Sequence, residues 1–188
     1  HSTVSTVQGQ SNLDIAKATC TKWVNGLNAS SECAVVAVDS KASVYSDFLK
    51  NKGDVRQACN AITAGSTMDF NEAFLSANGG AFYIHKKARY NRVIVLITDG
   101  RQVADIQAQE IVAQARTMQC TIYCFVLGSI ASNSLKTIVQ QTGGSCYNSI
   151  TSVQDAEKIV TQILAREQYT NHCEVTWNSC YSMGDTLR

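Results

Sequence analysis

Residues 92–100 read RVIVLITDG. Five consecutive apolar residues, Val93–Ile97, stand between Arg92 and a polar Thr98-Asp99-Gly100 turn. A short unbroken apolar run bounded by turn residues specifies a strand buried on both faces, as inside a parallel sheet. The elements on either side agree. Downstream come a helix over about 104–118, a strand CTIYCFVLG (120–128) and a helix over Leu135–Gln141. The Thr142-Gly143-Gly144 break, a short strand SCYNS (145–149) and a striped helix over 153–165 follow. Upstream, residues 1–12 are polar and read as a loop, with Asn12 as cap of a helix whose Ile15, Ala16, Cys20, Trp23, Val24 and Leu27 share a face. CAVVAV (33–38) is a buried strand and SVYSDF (43–48) alternates like an edge strand. Helices are expected from Asp54 through Ile62 and from Asp69 to about Ala77. Strands alternating with helices predict an α/β fold in one domain over 1–188, a mostly parallel sheet covered on both faces.

Composition narrows the class. The chain has 188 residues, 45% hydrophobic and 16% charged, with a net charge of +1. No basic run is present, which argues against nucleic acid or an anionic membrane surface as partner. The apolar run at 93–97 is too short to insert into a membrane, and no signal-peptide pattern opens the chain, so His1 reads as a processed or engineered start. Eight cysteines favour an oxidising, secreted or cell-surface setting, and Asn28-Ala29-Ser30 is a glycosylation acceptor, hence a glycoprotein expectation. Cys120 and Cys124 lie on one strand without a matching second pair, which gives no zinc spacing. Glycine-rich phosphate loops are absent.

From Leu13 to about Leu164 the ordered parts resemble a von Willebrand factor A domain. They are LDIAKATCTKWVNGL, the stretch from AVVAVDS to AGSTMDFNEAF, NRVIVLITDG, and FVLGS followed by TGGSCY. The resemblance implies a Rossmann-like, doubly wound, six-stranded sheet with a metal-ion-dependent adhesion site at the carboxyl ends of its strands. In that family an Asp-x-Ser-x-Ser motif follows the central strand, and a second loop adds Thr. The fourth strand adds another Asp. By position Thr67 and Asp99 match. The first motif is matched by NSCYS, with Asn178 in place of Asp, Cys180 in place of Ser, and Ser182 retained. A neutral amide and a poor-ligand thiol leave Thr67, Asp99, Ser182 and Asn178 as a degraded metal set, binding Mg²⁺ or another divalent cation weakly. Tyr181 and Met183 add an apolar contact beside it, so the expected ligand surface is Thr67, Asp99, Cys180, Tyr181, Ser182 and Met183. His1–Ser5 is a rival, poorer match to the motif. No strand precedes it in the sequence, so the central strand is expected from residues 173–180, either as a circular permutation or within a tandem array that exchanges strands.

The resemblance implies a non-enzymatic extracellular adhesion module that holds a protein or matrix ligand. A structural or assembly subunit with a vestigial site is the alternative. An α/β hydrolase is the third reading, weakened because Gly-x-Ser-x-Gly is absent and no nucleophile has an evident His partner. His85 and His172 read as surface or linker residues. If residue 173 begins the central strand, Cys33–Cys173 is the preferred disulfide and Cys120–Cys146 a second, with Cys20, Cys59 and Cys124 unassigned.

Overall fold

The computed structural model describes residues 6–7, 10–65, 68–88, 92–102 and 104–169. In chain order the elements are β1 (Thr6–Val7), β2 (Gln10–Ser11), α1 (Asn12–Gly26), β3 (Cys33–Val38), β4 (Ala42–Leu49), α2 (Lys52–Ala61) and α3 (Phe70–Leu75). They continue as α4 (Ala81–His85), β5 (Arg92–Thr98), α5 (Ala108–Thr117), β6 (Cys120–Leu127), α6 (Asn133–Gln141), β7 (Cys146–Ile150) and α7 (Val153–Tyr169).

The RVIVLIT run is β5, and it pairs in parallel with β6 over seven consecutive residues, Arg92 opposite Cys120 through Thr98 opposite Val126. β7 adds to the far side of β6, also parallel. One face of this sheet packs Ile122, Cys124, Val126 and Leu96 against α3, α5 and α6. The other packs Tyr123, Phe125 and Leu127 against Ile15 of α1 and Ala156, Val160 and Ile163 of α7. Helices on both faces of a parallel sheet follow from strands whose side chains are apolar in both directions.

The expected single six-stranded sheet differs from what is described. The described residues form this three-stranded parallel sheet, an antiparallel β3–β4 pair, and the small β1–β2 hairpin. β3 and β5 are not hydrogen-bonded to each other. The strand expected between them, 173–180, lies outside the described residues.

Several local expectations shift for identifiable reasons. Residues 6–7 and 10–11 pair as a hairpin where a loop was expected. Ser11, rather than Asn12, caps α1, its hydroxyl accepting from the Asp14 amide while the Asp14 carboxylate accepts from Ser11, a capping box. α2 begins at Lys52, before Asp54, because the Asn51 side chain caps it. α5 starts four residues later than expected, and Asn71 bonds the non-helical segment that precedes it. The Asn71 amide nitrogen donates to Asp105 O, and its oxygen accepts from Gln107 N. α4 was not expected at all. It buries His85, which is only 4% exposed, so the surface reading of that residue is corrected.

The cysteines sort by geometry. Cys20 of α1 and Cys59 of α2 are joined, their Cα atoms 6.2 Å apart. Cys120 stands opposite Arg92, and the residue opposite Cys146 is Cys124. The expected Cys120–Cys146 pair is therefore out of register by four residues, and both thiols are free. Cys33 is also free in the structure, and Cys173 lies outside the described residues.

Candidate functional site at the carboxyl end of the sheet

Where β5, β6 and β7 end, their loops are tied into one platform. Thr98 is buried, and its hydroxyl lies 3.0 Å from the Met68 sulfur and accepts from the Gly100 amide at 3.0 Å. Gly100 has φ +78, and a Cβ there would meet the Ser129 hydroxyl at 2.7 Å, so glycine is required for the close turn. The Ser129 hydroxyl donates to the Asp99 carbonyl at 2.5 Å, and the Ser129 carbonyl accepts from Ser149 N at 2.8 Å. The Asn148 side chain accepts from Ala131 N at 2.8 Å. Three successive strand ends are thus cross-linked by side-chain and backbone bonds, which fixes the directions in which the rim residues project.

Asp99 projects from this platform and is partly exposed. Its carboxylate accepts from the Arg101 amide at 3.1 Å and forms an ion pair with the Arg101 guanidinium at 3.0 Å. Both carboxylate oxygens are engaged by one residue, two positions along. Ile130, in the loop after β6, is 67% exposed, the most exposed large apolar side chain among the described residues.

Of the expected site residues, Asp99 is placed at the carboxyl end of β5. Thr67, Asn178, Cys180, Tyr181, Ser182 and Met183 lie outside the described residues. Met68, just before α3, packs on Thr98 at the end of β5. Arg101, Ser129 and Ile130 were missed. A serine directly after a strand-ending glycine, as in the FVLGS stretch, is the sequence signal that could have found Ser129.

A hard divalent cation needs several oxygen ligands around it. Among the described residues no group of three or more acidic, histidine or cysteine side chains converges. The single placed carboxylate is already neutralised by Arg101. These residues alone do not fit a metal ion.

Several other titratable groups are shifted, in both directions: the hydrogen bond with Cys124 lowers the Cys146 thiol. Burial pushes the Cys33 thiol up to about 11 and, with it the dominant cause, the Cys120 thiol up to about 12. The hydrogen bond with Cys146, together with burial, raises the Cys124 thiol. Burial, and secondarily the Arg92 charge, lowers His85 to about 4. Its Nε2 has no hydrogen-bond partner among the described residues.

The von Willebrand factor type A domain model matches residues 4–164. Among solved structures, a von Willebrand factor type A protein from Catenulispora acidiphila is similar at TM-score 0.70 and 17% identity, over 81% of this chain and 37% of that one. BatB, a conserved hypothetical protein from Bacteroides thetaiotaomicron, is similar at TM-score 0.62 and 15% identity, over 87% of this chain and 92% of that one. Proximal thread matrix protein 1 from the mussel byssus, in a form whose MIDAS motif is occupied by zinc, is similar at TM-score 0.58 and 15% identity, over 81% and 42%. No curated protein matches the sequence.

Proposed function

Since the chain belongs to the von Willebrand factor type A domain family, we propose that it is a non-enzymatic extracellular module that binds a protein or matrix ligand with its carboxyl-end loops, with weak metal dependence. The observation that carries this reading is the platform itself: three strand ends bonded together, with an exposed Ile130 beside an ion-paired Asp99. A rigid apolar anchor on a polar rim suits protein recognition, where a few buried contacts dominate affinity. The Asp99–Arg101 pair supports weak metal dependence, because a cation would have to displace a guanidinium from Asp99, the one carboxylate of the expected ligand set. The Cys20–Cys59 disulfide supports an oxidising compartment. No helix among the described residues is long and apolar enough to cross a membrane. A non-enzymatic role is supported by the burial of His85 and by the thiols of Cys33, Cys120 and Cys124, which are shifted toward the unreactive protonated form, while the lowered Cys146 thiol has, among the described residues, only Cys124 beside it as a hydrogen-bonded thiol and no histidine base.

Surface plasmon resonance against collagen, fibronectin and laminin, with and without EDTA, tests the reading. Binding that Ile130→Asp weakens about tenfold or more, and that EDTA barely changes, is the expected outcome. Binding abolished by EDTA would overturn the weak-metal reading. Binding indifferent to Ile130→Asp and to Asp99→Ala would move the contact surface elsewhere.

A further inference from the structure

Two thiols face each other across the β6–β7 ladder. Cys124 of β6 and Cys146, the first residue of β7, are register partners in a parallel pair. The Cys124 amide donates to the Ser145 carbonyl at 3.1 Å, so the two strands are bonded where the cysteines stand. Neighbouring strands lie about 4.8 Å apart, and a disulfide accepts Cα separations of roughly 4.4–6.8 Å. Both side chains pack on the same face, with the cluster of α3, α5 and α6. Their sulfur atoms share a hydrogen bond, and neither is in a disulfide. Among the free thiols described, these two alone are register partners. Cys120 shares the face of Cys124 but lies four residues away, roughly 13 Å along the strand, and Cys33 belongs to the cluster around β3.

The two sulfurs are unequal. Cys124 is 0% exposed, whereas Cys146 is half-buried at the start of its strand. The hydrogen bond with Cys124 and, after it, the Lys136 charge lower the Cys146 thiol, while the same bond and burial raise that of Cys124. An accessible sulfur with thiolate character, beside a buried protonated one, suits attack by the first and resolution by the second.

We propose that Cys124 and Cys146 are a modification site, a dithiol that an external low-molecular-weight disulfide converts into a cross-strand disulfide. The proposal does not rest on the ligand reading above. Cys146 gives its proton to water, and its thiolate attacks one sulfur of the external disulfide. A mixed disulfide forms and one thiolate leaves. Cys124 then loses its proton and attacks the Cys146 sulfur, which closes the Cys124–Cys146 bond and expels the second thiolate. Two protons and two electrons leave the protein, and the external disulfide becomes two thiols. The new bond fastens β7 to β6 two residues before Asn148, whose side chain holds Ala131 next to the exposed Ile130. Oxidation at this site therefore tightens the rim from beneath.

Peptide mapping of the full chain without reductant, before and after incubation with glutathione disulfide, tests the proposal. Trypsin cleaves after Arg116, Lys136 and Lys158, which puts Cys124 and Cys146 on separate peptides, and chymotrypsin cleavage after Tyr123 parts Cys124 from Cys120. The expected result is a Cys124–Cys146 link with loss of iodoacetamide labelling at both sulfurs, while the Cys20–Cys59 link is unchanged. A Cys124–Cys146 link present before the incubation supports the site equally. Cys124→Ala should arrest the reaction with one glutathione held on Cys146, a trapped intermediate that mere packing of the two side chains would not produce. Three results on the unaltered chain, none of which depends on a variant folding, would overturn the proposal. They are continued labelling of both cysteines, a lasting glutathione adduct on Cys146, and a link from Cys146 to any other cysteine.

Discussion

β6 and β5 are comparably apolar, yet β6 has seven of eight residues buried while β5 has two of seven, Leu96 and Thr98. The difference lies in their neighbours. Among the described residues β6 sits between β5 and β7, whereas β5 pairs only with β6 and borders, on its other side, a slot of about 760 Å³ that β3 also lines. The cores follow the same division. The β5–β6–β7 half is sandwiched between two large clusters, while β3 and α2 share a small one of Val24, Val35, Val55, Ala58 and Cys59. Strand hydrophobicity states how many neighbours a strand needs, and a half-bare apolar strand marks where one belongs.

Perturbations should act unequally on the two halves, and the largest effect belongs to the smaller core. The Cys20–Cys59 bridge closes a separation of 39 residues, which in the loop-entropy treatment stabilises the fold by about 4 kcal/mol. Paired Cys20→Ala and Cys59→Ala substitutions should lower stability by roughly that amount in urea titration. Unchanged stability would show that the small cluster holds α1 and α2 together unaided. Next, Ile122→Ala in β6 should cost roughly 3–4 kcal/mol, since its side chain is fully buried. Ile94→Ala in β5 offers the direct comparison: a cost equal to that of Ile122→Ala means that the slot is filled, and about half that cost means that it is open.

The third effect is set by pH. His85 is lowered to about 4 from 6.5, so its neutral form is the one the fold accepts. Above pH 6.5 both folded and unfolded chains carry it neutral, and stability is fully present. As pH falls from 6.5 toward 4 the unfolded chain takes up the proton first. Roughly 2–3 kcal/mol should be lost over that window. Thermal melts of His85→Gln should remove this sag. The smallest effect is expected at the rim, where Arg101→Ala should change stability by no more than about 0.5 kcal/mol, because that ion pair is substantially exposed. A larger loss would show that the pair supports the platform as well as decorating it.

The layered α/β plan was legible because β5, β6 and α7 carry their periodicity in plain form, and Asp99 because it ends the clearest strand. What stayed hidden shares a cause: it depends on tertiary placement. α4 spans five residues after Gly79-Gly80, too short to show a helical period, and so the burial of His85 beneath it was invisible. Cys20 and Cys59 lie on separate helices, and no spacing rule links them. Cys146 meets Cys124 rather than Cys120 because β7 enters four residues along β6, at Gly144, where any Cβ would fall 1.9 Å from Ile122 O. Asp99 was read as a ligand, but its engagement by Arg101 is a matter of rotamer and turn geometry that no motif encodes.

The strand edges differ in regularity, and this bears on how the protein tolerates crowding. The β3–β4 ladder shifts register twice, β7 breaks step against β6, and Ser149 within β7 has a left-handed φ of 54. Both outer margins are therefore poor templates for another chain, as natural sheets require if they are not to polymerise edge to edge. β5, by contrast, runs through seven residues without irregularity. A straight, apolar margin left open would seed edge-to-edge association, so whatever covers it also serves as the molecule's safeguard against aggregation.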